Sequence, residues 1–103
     1  MAVYFADNPP NGDIVPAVEQ RVIRVRRIIF TTDQNGSFEL RHSYGTGEEA
    51  RILPKIYVRA AGMSPLDLRF REEAPQAPAG TPLGFYTDLV GSFSLWIEYE
   101  IVA

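Results

Sequence analysis

Hydrophobic positions along this chain recur at every second residue, in short runs broken by glycine, proline and asparagine. The clearest run closes the sequence: Phe93, Leu95, Ile97, Tyr99 and Ile101 alternate with Ser92, Ser94, Trp96, Glu98 and Glu100. A β-strand turns successive side chains to opposite faces, so this run is a strand with one face buried. Phe38, Leu40, His42 and Tyr44 alternate with Glu39, Arg41 and Ser43 in the same way. Ile56, Val58 and Ala60 alternate with Lys55, Tyr57 and Arg59, and Leu66, Leu68 and Phe70 with Asp67, Arg69 and Arg71. Leu83 to Val90 holds one more short strand around GFYTDL. No run keeps helical spacing over a helix length without meeting glycine or proline.

The stretch RVIRVRRIIF, residues 21–30, breaks strict alternation at Arg27-Ile28-Ile29-Phe30. A β-bulge near Arg26 or Arg27 restores it, placing Ile23, Val25, Ile28 and Phe30 on one buried face and Arg24 and Arg26 on the outward one. The connections carry turn residues. Thr32 to Ser37 reads as a hairpin loop in which Asn35-Gly36 supplies positive φ angles, and Ala61 to Pro65 turns the chain. Glu72 to Pro82, with its prolines and alanines, reads as a surface loop. Residues 1–16, rich in proline and Asx, read as an extended N-terminal arm that orders on a neighbour. The expected fold is therefore all-β: a single antiparallel β-sandwich or jelly roll of seven or eight strands over residues 17–103, preceded by the arm.

Composition supports one self-sufficient core. At 103 residues and 46% hydrophobic content, the chain has material for a single domain. The absence of cysteine excludes disulfides, thiolate zinc sites and thiol catalysis. MAVYFADNPP has neither the basic nor the apolar region of a signal peptide, so use without secretion is expected, and no run is long enough to span a membrane. Net charge is −3, but it is unevenly spread. All ten basic residues lie between Arg21 and Arg71, and Lys55 is the one lysine among them. Arginine forms bidentate pairs and tolerates burial in contacts, so this bias points to interfaces.

Candidate chemistry is sparse. His42 is the single histidine, and no nucleophile motif accompanies it, so it reads as structural and the chain as a non-enzyme without cofactor. Asp33, Asn35, Ser37 and Glu39 have the spacing of calcium ligands but run through a turn into a strand, which a calcium loop does not. Asp7, Asn11 and Asp13 read as ordinary loop polarity. The adjacent pairs Glu48-Glu49 and Glu72-Glu73 read as solvated charge, because glycosidase carboxylates must flank a bond. Arg24 and Arg26 have no aromatic beside them on their face, and the chain is acidic, so nucleic acid is not an expected partner. They read instead as partners for carboxylates, some of them on a neighbouring chain. Trp96 falls on the polar face of the last strand, where it either makes a contact or is covered by the loop 72–82. With Tyr57 and Tyr86 it completes the candidate interface set: Arg24, Arg26, Trp96, Tyr57 and Tyr86.

From Val22 to Val102 the succession RRIIFTTDQNGSFELRHSYGTG, SPLDLRFRE, a proline-rich loop, PLGFYTDLVGS and FSLWIEYEIV resembles small β-rich virion proteins of tailed bacteriophages, the head-decoration or cement proteins and related capsid and neck components. The resemblance implies a structural protein on the capsid surface, assembled in the host cytoplasm. It would bind the major capsid protein or another virion protein and associate with itself as a trimer or other symmetric oligomer. No individual residue role follows from it. A carbohydrate- or receptor-binding sandwich at a fibre tip, with Trp96, Tyr86 or Tyr57 as a stacking platform, is the alternative.

Overall fold

The computed structural model describes residues 1–60 and 65–103. These form ten strands and no helix: β1 (Ala2–Asp7), β2 (Gly12–Val15), β3 (Val22–Thr32), β4 (Gly36–His42), β5 (Ala50–Arg51), β6 (Ile56–Val58), β7 (Leu66–Arg69), β8 (Gln76–Ala77), β9 (Leu83–Thr87) and β10 (Phe93–Val102). The first sheet has the order β1-β10-β3-β7, with β8 also paired to β3, and the second has β2-β9-β4-β5, with β6 also paired to β4. Every pairing is antiparallel. With β5 and β6 taken as one interrupted strand, and β7 and β8 as another, eight strands interleave the two ends of the chain in both sheets. This is the strand order of a jelly roll, the expected sandwich class.

The first sheet is built on β3 and β10, the two longest strands, which pair from Thr32↔Phe93 to Val22↔Val102. Their register shifts between Glu98, opposite Arg27, and Tyr99, opposite Val25, so Arg26 is the extra residue of a bulge. The bulge corrects the phase as the sequence requires. Ile23, Val25, Ile28 and Phe30 are all buried in one core with Leu95 and Ile97, and Arg24, Arg26 and Arg27 point outward. Four phenylalanines join the sheets: Phe30 of β3 stacks on Phe38 of β4 at 4.4 Å, and Phe85 of β9 meets Phe93 of β10 at 5.9 Å. Phe30–Phe93 and Phe38–Phe85 contacts at 5.7 and 6.1 Å close the ring. Offset aromatic pairs at these separations add to the burial of large apolar surface.

Three expectations about connections need correction. Residues 1–16 do not form a free arm but supply one edge strand to each sheet: β1 pairs with β10, and β2 with β9. Their turn residues are confined to the crossing between sheets, where side-chain amides act as strand backbone. The Asn8 N–H donates to Phe93 O, and Asn8 Oδ1 accepts from Phe93 N–H, both at 2.8 Å. Asn11 treats Thr87 likewise, Oδ1 accepting from its N–H at 2.9 Å and Nδ2 donating to its carbonyl at 3.3 Å. Asn8 sits at φ 49°, a left-handed conformation that asparagine tolerates. Second, Thr32–Ser37 is a passage from the first sheet to the second, not a hairpin, and neither Asn35 nor Gly36 has positive φ. Gly36 instead lies against the Leu89 side chain, which would have to shift to admit a Cβ there. Third, the segment 72–82 is more than surface loop. Its β8 pairs with Ile23 and Arg24, Pro75 O accepts from Val25 N–H at 2.9 Å, and Ala77 is fully buried. The turn expected over Ala61–Pro65 falls mainly outside the described residues.

The amide-for-backbone substitution is testable. Asn11→Ala removes both bonds to Thr87 and is expected to cost about 1–2 kcal/mol in urea unfolding. Exposed Asp13→Ala, two residues along, should stay within about 0.5 kcal/mol. Equal effects would show that the side-chain pairing contributes nothing of its own.

Candidate functional site

Bulging β3 at Arg26 sends two consecutive guanidiniums to the same outer face, and carboxylates of β10 and β7 meet them. Arg26 is the best held: Nε and Nη2 donate to Glu100 Oε1 at 2.8 and 2.5 Å, and Nη1 donates to Arg71 O at 2.5 Å. Arg24 reaches the same Glu100 oxygen at 3.5 Å and Gln76 Oε1 at 3.3 Å. Arg27 grips Asp67 with two bonds at 3.0 and 2.8 Å and lies 3.4 Å from Glu98. Trp96 Nε1 donates to Glu98 Oε2 at 3.0 Å, so one network runs from Trp96 through Glu98 and Arg27 to Asp67 and on to Arg69 at 3.5 Å. Arg24 and Arg26 therefore find their carboxylate within the same chain.

Beside this network lies an apolar patch. Cross-strand register sets Phe5 of β1 opposite Trp96 and Trp96 opposite Ile29 of β3, with Val3 opposite Glu98 one step along. The Phe5 and Trp96 rings are 5.8 Å apart, tilted by 53°. Phe5 is 58% exposed and Val3 47%, large values for apolar residues on a sheet face. Trp96 is half-buried, with Phe5 packed beside it. Val3, Phe5 and Ile29 are absent from the sequence-based set. Alternation in AVYFAD was the available signal, and the proline and asparagine that follow obscured it.

Tyr86 and Tyr57 lie on the other sheet, facing away from Trp96. Arg41 covers the Tyr86 ring, its guanidinium carbon 4.4 Å from the centroid, while Tyr57 is 78% exposed. Between them Glu39, with a side chain only 6% exposed, is ringed by Arg41 at 3.0 Å and by Arg51 and Lys55 at 3.8 Å. A buried carboxylate needs such partners. Arg41 also pairs with Glu49, whose carboxylate accepts from Gly45 N–H at 2.8 Å. That backbone bond, followed by Arg41, holds the Glu49 carboxyl below its ordinary range.

The remaining polar candidates are engaged separately. Asp33 Oδ1 accepts from Ser92 N–H at 3.1 Å, and Asn35 Oδ1 accepts from Ala60 N–H at 2.8 Å, while Glu39 belongs to the cationic ring. The calcium-like spacing therefore does not converge, and among the described residues no three acidic or histidine side chains are grouped to hold a metal. His42 Nδ1 lies 3.0 Å from Ser43 Oγ, and Asp7 accepts from Ser94 Oγ at 2.5 Å. No family model, curated protein or solved structure matches this chain.

The hydrogen bonds from Arg26 lower the Glu100 carboxyl below its ordinary value, and those from Arg27 do the same for Asp67. A carboxyl lowered on folding contributes stability above its unfolded pKa, and that contribution is lost as pH falls through the folded value. Carboxyl-detected NMR titration should place the Glu100 midpoint below the ordinary 4.5, and Arg26→Met should raise it. A midpoint at or above 4.5 in the unaltered protein would contradict the pairing.

Proposed function

We propose that this chain works by association, as a structural jelly-roll protein that docks on a protein lattice through the outer face of its first sheet. The observation that carries this reading is the row Val3, Phe5, Trp96 and Ile29, its first two side chains exposed and the other two half-buried, beside a fixed arginine–carboxylate network. Aromatic anchors bordered by arginine are what protein–protein interfaces enrich. Because Arg24, Arg26 and Arg27 are already paired, docking would not bury a naked charge, which is the costly event at a charged interface. The arginines therefore act as a rigid polar rim, and the aromatic row carries the affinity.

The lattice we propose is the capsid surface of a tailed bacteriophage, with the major capsid protein or another virion protein as partner. Support comes from the sequence resemblance to decoration and cement proteins, together with a jelly roll, an architecture used in viral capsid domains. Fold-level likeness is an analogy, so particle association decides the matter. The glycan-binding alternative has less geometric support. Trp96 and Tyr57 lie on opposite sheets and Tyr86 lies beneath Arg41, so the three rings form no common platform.

Mass spectrometry of purified virions from the source should detect the chain, and purified protein should co-sediment with particles stripped of it. Trp96→Ala should weaken that binding by about tenfold or more, the loss typical of an interface anchor, and leave the fold intact. Absence from the particles would overturn the virion reading. Undiminished binding by Trp96→Ala would overturn the assignment of this face. Glycan binding lost on Tyr57→Ala would favour the carbohydrate reading instead.

A further inference from the structure

A jelly roll leaves the edges of two sheets open, and here the edges are treated very differently. On the far side of the first sheet, β7 alternates Asp67 and Arg69 after Pro65, and the two-residue β8 is enclosed by Pro75 and Pro78. In the second sheet, β2 carries Asp13, a register irregularity and then Pro16. Its other edge consists of β5, two residues long, and β6, three residues between Lys55 and Arg59. Short length, charge, proline and bulges are the devices that stop a sheet edge from pairing with another chain. β1 is the least protected, with a single charge, Asp7, at its end. It runs six residues in unbroken register, with no charge or proline from Ala2 to Ala6.

Its free hydrogen-bonding row can be identified. In a strand, the N–H and C=O of one residue point to the same side, and successive residues point to opposite sides. The Asn8 N–H bonds to Phe93 of β10, so Ala6, Tyr4 and Ala2 also face β10. Val3, Phe5 and Asp7 then face away, and among the described residues no backbone or side-chain group bonds to their outward N–H and C=O. Two of these three residues also carry the exposed apolar side chains of the strand.

We propose that β1 is a self-pairing edge that joins two copies of this chain across a two-fold axis, continuing the first sheet from one copy into the other. The inference rests on the fold and does not require the capsid reading. An antiparallel pair centred on Phe5 sets Phe5 against Phe5 of the second copy and each Val3 against an Asp7, so all three residues exchange both backbone bonds. The same register places each carboxylate opposite an apolar side chain instead of another acid, avoiding the like-charge opposition that destabilises cross-strand pairs. On the outer face, the Phe5–Trp96 pair at 5.8 Å in each copy becomes one four-ring row across the joint. Pairing consumes the open edge of both copies, and the remaining edges are blunted. The assembly therefore closes as a dimer rather than growing into a fibre.

Amide exchange of the full chain, read residue by residue at micromolar and millimolar concentrations, tests this together with sedimentation equilibrium. The expected result is a concentration-dependent dimer in which exchange at Val3, Phe5 and Asp7 slows by about a hundredfold, while Tyr4 and Ala6 are protected at both concentrations. Val3→Pro removes an outward N–H, a change that an edge strand accommodates, and should leave a folded monomer. Should that variant not fold, Phe5→Lys blocks the same edge with a charge and should also be monomeric. A monomer throughout the range, a dimer whose Val3, Phe5 and Asp7 amides stay fast, or a dimer that persists in both variants would each overturn the proposal. Species larger than a dimer would overturn its closure. Loss of this dimer would leave particle binding to be judged on its own, and absence from particles would leave the exchange pattern unchanged.

Discussion

The structure depends on the pairing of β3 with β10. These strands lie at opposite ends of the sequence, yet their ladder is the middle of the first sheet, and both edges of that sheet are defined by attachment to it: β1 to β10, β7 and β8 to β3. The pairing holds only if apolar residues of both strands face inward together, because a one-residue slip would turn the whole set to solvent. Arg26 resolves that conflict. By standing out of the ladder it lets Ile23 and Val25 share a face with Ile28 and Phe30. The same extra residue sends Arg26 and Arg27 outward side by side, so the correction that completes the core also lays down the charged network outside.

The two outer faces follow from the same logic with different results. On the first sheet, β10 presents Glu98 and Glu100 at the positions facing the β3 arginines, and Trp96 is tied into the row through Glu98. Partly exposed pairs of this kind contribute little to stability individually. Their effect is to fix side chains in place beside the Phe5–Trp96 row. On the second sheet the acid is at the centre and the cations around it: Glu39 is nearly enclosed, with Arg41, Arg51 and Lys55 at its rim. The arginine bias of the sequence is largely an internal matter, since Arg24, Arg26, Arg27 and Arg41 all find carboxylates in their own chain. The exposed Val3 and Phe5 and the outward backbone of β1 stay open to a partner outside the chain.

Most of the strands were legible, and so was the bulge, because burial of one sheet face imposes a period of two and any break in that period must be repaired locally. Leu66–Arg69, Leu83–Thr87 and Phe93–Val102 show this directly. Local signals misled where one residue type serves two purposes. Asn35-Gly36 looks like a tight hairpin, yet it carries the chain from one sheet to the other, and Gly36 lies against Leu89 of a distant loop. Asn8 and Asn11 look like loop polarity, yet their amides stand in for strand backbone against residues more than seventy positions away.

The all-β class, the strand faces and the outward direction of the arginines were all legible along the chain, since alternation and bulging are properties of neighbouring residues. Which strands are neighbours is settled only in the folded chain, and with it the make-up of the candidate site. Phe5 meets Trp96, Arg27 meets Asp67, and β1 becomes an edge only because β10 returns to pair beside it. The physical reason is the range of the forces involved. Side-chain direction is fixed by the torsions of adjacent residues, whereas strand order is settled by the shared burial of faces that belong to distant parts of the chain.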